Sequence, residues 1–194
     1  TTDCYGILAP YRLTIKGEGK LTVTGGDSVN DDSYGIYAKS DVEIIDCNVT
    51  AKGGEAVNSY GAKRCNFRFK DSDFTSIGGT ASNSYGISIS EELRISDSNV
   101  IAKGGASKND SIGINSYSVI IYGGSLIAIG NTMALTTRPA TGALNYWWRT
   151  SESDSYTNHL KSSYIWNKLH NYVEIRETIP GYTVTFDANG GTGT

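Results

Sequence analysis

One phrase, written five times, constrains this chain more than anything else in it. Asp or Asn, then Ser or Cys, then Tyr or Ile, then Gly occurs as Asp3-Cys4-Tyr5-Gly6, Asp32-Ser33-Tyr34-Gly35, Asn58-Ser59-Tyr60-Gly61, Asn83-Ser84-Tyr85-Gly86 and Asp110-Ser111-Ile112-Gly113. Successive glycines of the phrase stand 29, 26, 25 and 27 residues apart. Self-similarity at such a period is the mark of stacked repeat architectures, in which no single unit can bury its apolar face alone.

Inside each unit the apolar residues come in short alternations. Ile7, Ile36, Ala62, Ile87 and Ile114 follow the phrase. Next come pairs two residues apart: Leu13 and Ile15, Val42 and Ile44, Phe67 and Phe69, Leu93 and Ile95, Val119 and Ile121. A third set pairs a large residue with a smaller one: Leu21 and Val23, Val49 and Ala51, Phe74 and Ser76, Val100 and Ala102, Leu126 and Ala128. A Gly-Gly closes four of the five units, at 25–26, 53–54, 78–79 and 104–105, while the fifth reads Gly130-Asn131. Period two means strand, and three strands in so short a unit fall below the roughly 40 residues of a propeller blade. An immunoglobulin-like sandwich also has many short strands, but it does not repeat the same turn residues.

The expected fold is therefore all-β, a right-handed parallel β-solenoid of about five three-stranded coils with a C-terminal aromatic β cap. Residues 1–139 form the solenoid in this reading, 140–179 the cap, and 180–194 a separate unit. Composition agrees, with 23 Gly, 13 Tyr and 3 Pro, a mixture suited to short strands and tight turns. The chain opens with Thr1-Thr2-Asp3-Cys4, already inside the turn before Tyr5, so it is expected to begin within a larger solenoid or after another coil. An uncovered parallel edge of that kind invites end-to-end self-association.

Charge removes one class of partner. A net charge of -3 with scattered Lys and Arg gives no basic field for nucleic acid. No apolar run reaches the roughly 18 residues of a membrane span, and the opening residues carry no secretory pattern. Cys4, Cys47 and Cys65 are odd in number and fall at different places in the repeat, so no disulfide between coils is expected.

Candidate sites lie on outward or turn columns. Asp46, Asp71 and Asp97 recur just after the second strand, followed two residues on by Asn48, Asp73 and Asn99. Carboxylates one coil apart suit half a calcium site, drawn from Asp46, Asp71, Asp73 and Asp97, or a retaining glycosidase pair. The same residue types are ordinary turn formers that bond their own backbone. The tyrosines at 5, 34, 60 and 85 share parity with the Ile two residues on and are expected to point inward, their hydroxyls reaching the turn. Glu43 opposite Arg68 predicts a cross-strand ion pair.

The third strand turns apolar on its outward side toward the C-terminus. Thr22, Thr24, Thr50 and Lys52 give way to Ile77, Ile101, Ile127 and Ile129, so a cover is expected there. The obvious cover is the segment after Arg138-Pro139, which holds Trp147, Trp148 and Trp166 with Tyr146 and predicts antiparallel strands near 144–150, 162–168 and 171–177. It seals the last coil in this reading, while an exposed Trp147, Trp148, Trp166 or Tyr146 would also offer a ligand platform. His159 and His170 show no metal or triad spacing, and the chain has no nucleophile elbow, phosphate loop or zinc pattern.

Two resemblances add to this. Residues 181–193, Gly-Tyr-Thr-Val-Thr-Phe-Asp-Ala-Asn-Gly-Gly-Thr-Gly, resemble the opening strand of the Listeria-Bacteroides repeat, also called the internalin B-type repeat. The five coils, through their Tyr-Gly-Ile phrase and the Asp-Ser-Asn-Val-x-Ala-x-Gly-Gly ending, resemble β-helical bacterial surface proteins, including a carbohydrate-binding group of pectate-lyase-like shape. Together the resemblances imply a secreted or wall-attached protein of a Gram-positive bacterium. The expected function is a non-catalytic surface module that binds glycan or host matrix, with polysaccharide or a host surface protein as partner. A calcium-dependent polysaccharide lyase or hydrolase, and a stalk that spaces other modules from the wall, are the alternatives.

Overall fold

The computed structural model describes residues 2–141, 147–150, 153–155, 157–158 and 170–177. Each alternating pair read from the sequence is a short strand. The first coil runs through β1 (Cys4–Ala9), β2 (Leu13–Lys16) and β3 (Lys20–Thr24). The second runs through β4 (Asp32–Ala38), β5 (Val42–Ile45) and β6 (Asn48–Lys52), and the third through β7 (Ala56–Arg64), β8 (Phe67–Lys70) and β9 (Asp73–Ile77). The fourth holds β10 (Ala81–Ile89), β11 (Glu92–Ser96) and β12 (Ser98–Lys103); the fifth holds β13 (Ser111–Asn115), β14 (Ser118–Ile121) and β15 (Gly124–Ile129).

Equivalent strands of successive coils pair in parallel, so the chain builds three sheets along one axis. Register follows the repeat residue by residue, as in Leu13 to Val42, Phe67 to Val42, and Leu93 to Phe67 and Val119. The solenoid is thus as the periodicity predicts. Inward residues of all three sheets meet in one core, where Ile36, Ile44, Phe67, Leu93, Ile95, Ile114 and Leu126 are fully buried. Three phenylalanines, Phe67, Phe69 and Phe74, fill the third coil, with Phe69 and Phe74 ring centroids 4.7 Å apart.

The phrase that opens each unit has a physical purpose. Ser33, Ser59, Ser84 and Ser111 are fully buried, which requires partners for each hydroxyl. Ser59 Oγ donates to the Gly54 carbonyl at 2.8 Å and accepts from the Gly79 N–H at 2.8 Å, lacing the corner of one coil to the corner of the next. Ser33 does the same between Gly26 and Gly54, and Ser84 between Gly79 and Gly105. The paired glycines are required by close approach: a Cβ on Gly54 would sit 2.6 Å from the Gly26 carbonyl oxygen, and one on Gly79 2.2 Å from that of Gly54.

The C-terminal end is closed by a sixth, irregular rung that the repeat did not announce. β16 (Met133–Leu135) and β17 (Ala140–Thr141) continue the first and second sheets in parallel. The third sheet continues instead through β18 (Trp147–Arg149), β19 (Thr157–Asn158) and β20 (Tyr172–Arg176), of which β20 lies antiparallel against β15 and β18 against β20. Val173 and Ile175 of β20 join the core. Glu174, between them in sequence, is nevertheless fully buried on the opposite side of the strand, where it bonds Arg149, Arg176 and Tyr172. β20 thus extends the third sheet edge to edge, pairing with Ile127 and Ile129. Among the described residues the expected cover over the outward Ile77, Ile101, Ile127 and Ile129 is not present, and all four are half-buried. The expected strands near 144–150 and 171–177 match β18 and β20; the one near 162–168 and the unit at 180–194 lie outside the described residues.

Candidate binding groove

The Tyr column departs from the sequence expectation. A Cβ on Gly35 would meet the Lys52 backbone at 2.6 Å, and one on Gly61 the buried Ser76 Oγ at 2.3 Å, so the glycine itself faces the interior. Gly and the following Ile both point inward, and Tyr is turned out. Parity counting fails there because an alternation is interrupted by one residue, as in a bulge. Tyr5, Tyr34, Tyr60 and Tyr85 then stack outside the core, with centroids 5.1 Å apart at each step and planes within 9°. Tyr34 and Tyr60 are almost fully buried, by each other and by Tyr37 and Lys63, whose amino group stands 3.9 Å from the Tyr60 centroid. Because each inner ring spends its faces on its neighbours, Tyr34 and Tyr60 have none to offer a sugar.

Burial dominates the electrostatics of this column. It raises the Tyr34, Tyr60 and Tyr85 phenols above their ordinary range and, with help from the Asp3 carboxylate, pushes Tyr5 up to about 12. It also lowers the Lys63 ammonium, against the pull of nearby Asp32. Beside the rings a second ladder runs from Asn83 to Asn58 to Asp32, each Nδ2 donating to the oxygen of the preceding coil at 2.8 and 2.7 Å.

The acidic column has a backbone explanation. Asp46, Asp71 and Asp97 take φ of 54°, 49° and 48°, the left-handed region in which Asp and Asn are the tolerated non-glycine residues. In the first coil Gly17 begins the turn at this place, with φ of 124°. Ser72 and Ser98 follow and bond their own turns, to the carbonyls of Lys70 and Ser96. Asp73 accepts from Asn99 at 2.9 Å. The exposed carboxylates border a shallow hollow of about 460 Å³, one per coil in a line. Among the described residues no group of three or more His, Cys, Asp or Glu gathers into a set that could hold a metal ion.

On the second sheet the expected Glu43–Arg68 pair is not formed, although the two residues are register partners. Arg68 reaches Asp41 at 3.1 Å, Glu43 pairs with Arg12, and Arg94 pairs with Glu92 at 2.9 Å. Arginine is long enough to choose a neighbour off the direct register, and Asp41 is already oriented by Asn66. The Asn66 amide, with the Arg68 guanidinium beside it, holds the Asp41 carboxyl below its usual range. Cys4, Cys47 and Cys65 carry free thiols; Cys4 stands in the serine column and reaches the Asp27 carbonyl at 3.3 Å.

Of the aromatic candidates, Trp147 and Trp148 are on β18, with Trp147 partly buried and paired in register with Arg176. Tyr146 and Trp166 lie outside the described residues.

The concavity that best suits an extended ligand lies elsewhere, in the corner between the third sheet and the first. Directly after each Gly-Gly, the triplets Asp27-Ser28-Val29, Glu55-Ala56-Val57, Thr80-Ala81-Ser82 and Ala106-Ser107-Lys108 line a groove of about 650 Å³ that crosses four coils. Its floor is the column Ser28, Ala56, Ala81 and Ser107, small side chains that leave the space open. One rim carries Asp27, Glu55, Thr80 and Ala106, and the other carries Val29, Val57, Ser82 and Lys108. Backbone bonds from Ser28 to Glu55, Ala56 to Thr80 and Ala81 to Ala106 hold the floor rigid. Sequence reading passed these triplets over, though they carry a signal: they are where the residue types change from coil to coil while everything around them repeats.

Compared with protein families, with curated proteins and with solved structures, the chain finds no match. No helix among the described residues is long and apolar enough to cross a membrane.

Proposed function

We propose that the chain is a non-catalytic binding module of a bacterial surface protein, extracellular in location, that takes a linear glycan lengthwise in the groove after the Gly-Gly corners. The observation that carries this reading is the groove's course over four coils. At a coil spacing of about 4.8 Å its rim offers a fresh polar group at every step along the axis, which matches the repetition of a polymer better than the shape of a small molecule. The hydroxyl and carboxylates of one rim face the apolar surface of Val29 and Val57 on the other, the mixture that sugar rings require. Rigidity also favours binding, because a groove held by interstrand hydrogen bonds loses little entropy when filled.

The test is a glycan array with the 194-residue chain, run with calcium and again with chelator, beside the variant Thr80→Trp. Thr80 is an exposed rim residue, so the indole fills the groove without touching the core. Hits that Thr80→Trp abolishes in both conditions are expected. A blank array for the parent chain would sink the proposal in favour of a stalk, and hits that require calcium and survive Thr80→Trp would move the site to the Asp46, Asp71 and Asp97 column.

A further inference from the structure

The groove is not electrically uniform, and its polarity speaks to the chemistry of its occupant. On the solenoid's outer sheets several charged side chains are paired: Arg12 with Glu43, Lys63 with Asp32, Arg68 with Asp41, Arg94 with Glu92. The groove holds none of these pairs. Among the described residues no salt bridge includes Asp27, Glu55 or Lys108, although all three line the same space. Asp27 and Glu55 stand on neighbouring coils, about 4.8 Å apart along the axis, and Lys108 stands at the far end of the groove.

Asp27 is also oriented. Its Oδ1 accepts the Glu55 N–H at 2.8 Å, which fixes the carboxylate in place on the rim. A concave surface with low-dielectric walls focuses the field of such charges, and two carboxylates with no cation between them make the N-terminal half of the groove a place where positive charge is favoured and negative charge is repelled. The backbone adds nothing to reverse this, because the groove lies along strand ends and corners rather than at a helix N-terminus.

Resting on the reading of the groove as a glycan site, we infer that it selects linear polymers bearing free amino groups, such as amino sugars without their acetyl groups, over neutral or uronic-acid polymers of the same length. In mildly acidic solution, where amino sugars carry their proton and carboxylates remain ionised, the ammonium of each such sugar would pair with Asp27 or Glu55, while the hydroxyls of the next rings face Thr80 and Ser82. Lys108 marks the other end, where an ammonium is unfavourable, so the charged sugars are placed toward the first two coils.

The experiment compares glucosamine oligomers with N-acetylglucosamine oligomers of equal length, which differ only in that the amine is free or acetylated. Binding is measured by calorimetry with the 194-residue chain in mildly acidic buffer, at low and at moderate salt. The free-amine oligomer is expected to bind about fivefold tighter, the usual size of one or two exposed ion pairs. The preference should shrink with added salt and vanish in the double variant Asp27→Asn, Glu55→Gln, which keeps the Asp27 acceptor oxygen. Equal affinity for the two oligomers, tighter binding of the acetylated one, or a preference that survives the double variant would overturn the amine selectivity. If in those cases Thr80→Trp still abolishes binding, the groove remains the site and only the selectivity is lost. No binding of either oligomer, beside array hits that Thr80→Trp abolishes, would likewise overturn the selectivity and leave the groove in place. No glycan bound at all would overturn both.

Discussion

The middle coils and the first coil contain the same kinds of residue at the same places, yet they differ in what those residues do. Val42, Phe67, Leu93 and Val119 occupy one column of the second sheet and are fully or almost fully buried, whereas Leu13, at the head of that column, is only partly so. Ile7, Ala9 and Ile15 are in the same position on their columns, and Leu21 is 36% exposed. The far end is different again, because β16, β17 and β20 cover the fifth coil and Leu126 and Ala128 there are fully buried. In a solenoid a residue's contribution is set by the coils on either side of it more than by its own identity.

The sharpest way to break this comparison uses two leucines of one column. Leu93→Ala should cost about 3 kcal/mol, the usual loss for a fully enclosed leucine, and Leu13→Ala about 1 kcal/mol, since its site is already open on one side. Urea unfolding midpoints of the two variants read the difference directly. Equal losses would mean that the first coil is as enclosed as the fourth.

A smaller effect is expected in the serine column. Ser59→Ala leaves the Gly54 carbonyl and the Gly79 N–H without their partner inside the corner, and should cost about 2 kcal/mol. Cys4, in the same column at the first coil, bonds only carbonyls through a weak thiol donor and sits nearer solvent, so Cys4→Ala should cost less than about 1 kcal/mol. Thermal melts of both variants would sharpen the contrast, and a Cys4 loss as large as that of Ser59 would refute it.

The tyrosine column gives the smallest effect at neutral pH and the clearest one in base. Burial favours the neutral phenol in the folded state, so each raised tyrosine contributes stability that is complete below its unfolded value near 10 and is lost as pH rises through the folded value. Tyr5, whose phenol is pushed up to about 12, should ionise before Tyr34 and Tyr60, which are raised further. Phenolate absorbance against pH is expected to lose a phase near pH 12 in Tyr5→Phe and to keep it in Tyr60→Phe. A column that ionised together at its unfolded value would show that the middle tyrosines are no better protected than the end one.

Much of the fold could be read from residues alone, for a physical reason. A period-two alternation repeated at a fixed interval leaves few ways to bury its apolar columns, and glycines at corners admit only a neighbour's backbone. That is why the three sheets, the parallel register and the antiparallel strands at Tyr172–Arg176 and Trp147–Arg149 agree with expectation. The Tyr column did not, because its orientation depends on Gly35 and its equivalents taking an inward place that no count of parity reveals. Nor did the ion pair of Glu43, because long side chains select partners in space. The groove lies furthest from sequence reading: none of its triplets carries a motif, and they become a site only when stacking places them one above another.

The sequence by itself therefore determined the coil, its three faces, its inward columns and the turn residues that space them, since these follow from local geometry repeated. Tertiary structure decided which aromatic residues face outward, how the last coil is closed around Glu174, and where a concave surface opens along the axis. Those features arise from contacts between residues about one coil or more apart, and contacts of that kind are written in no single stretch of the chain.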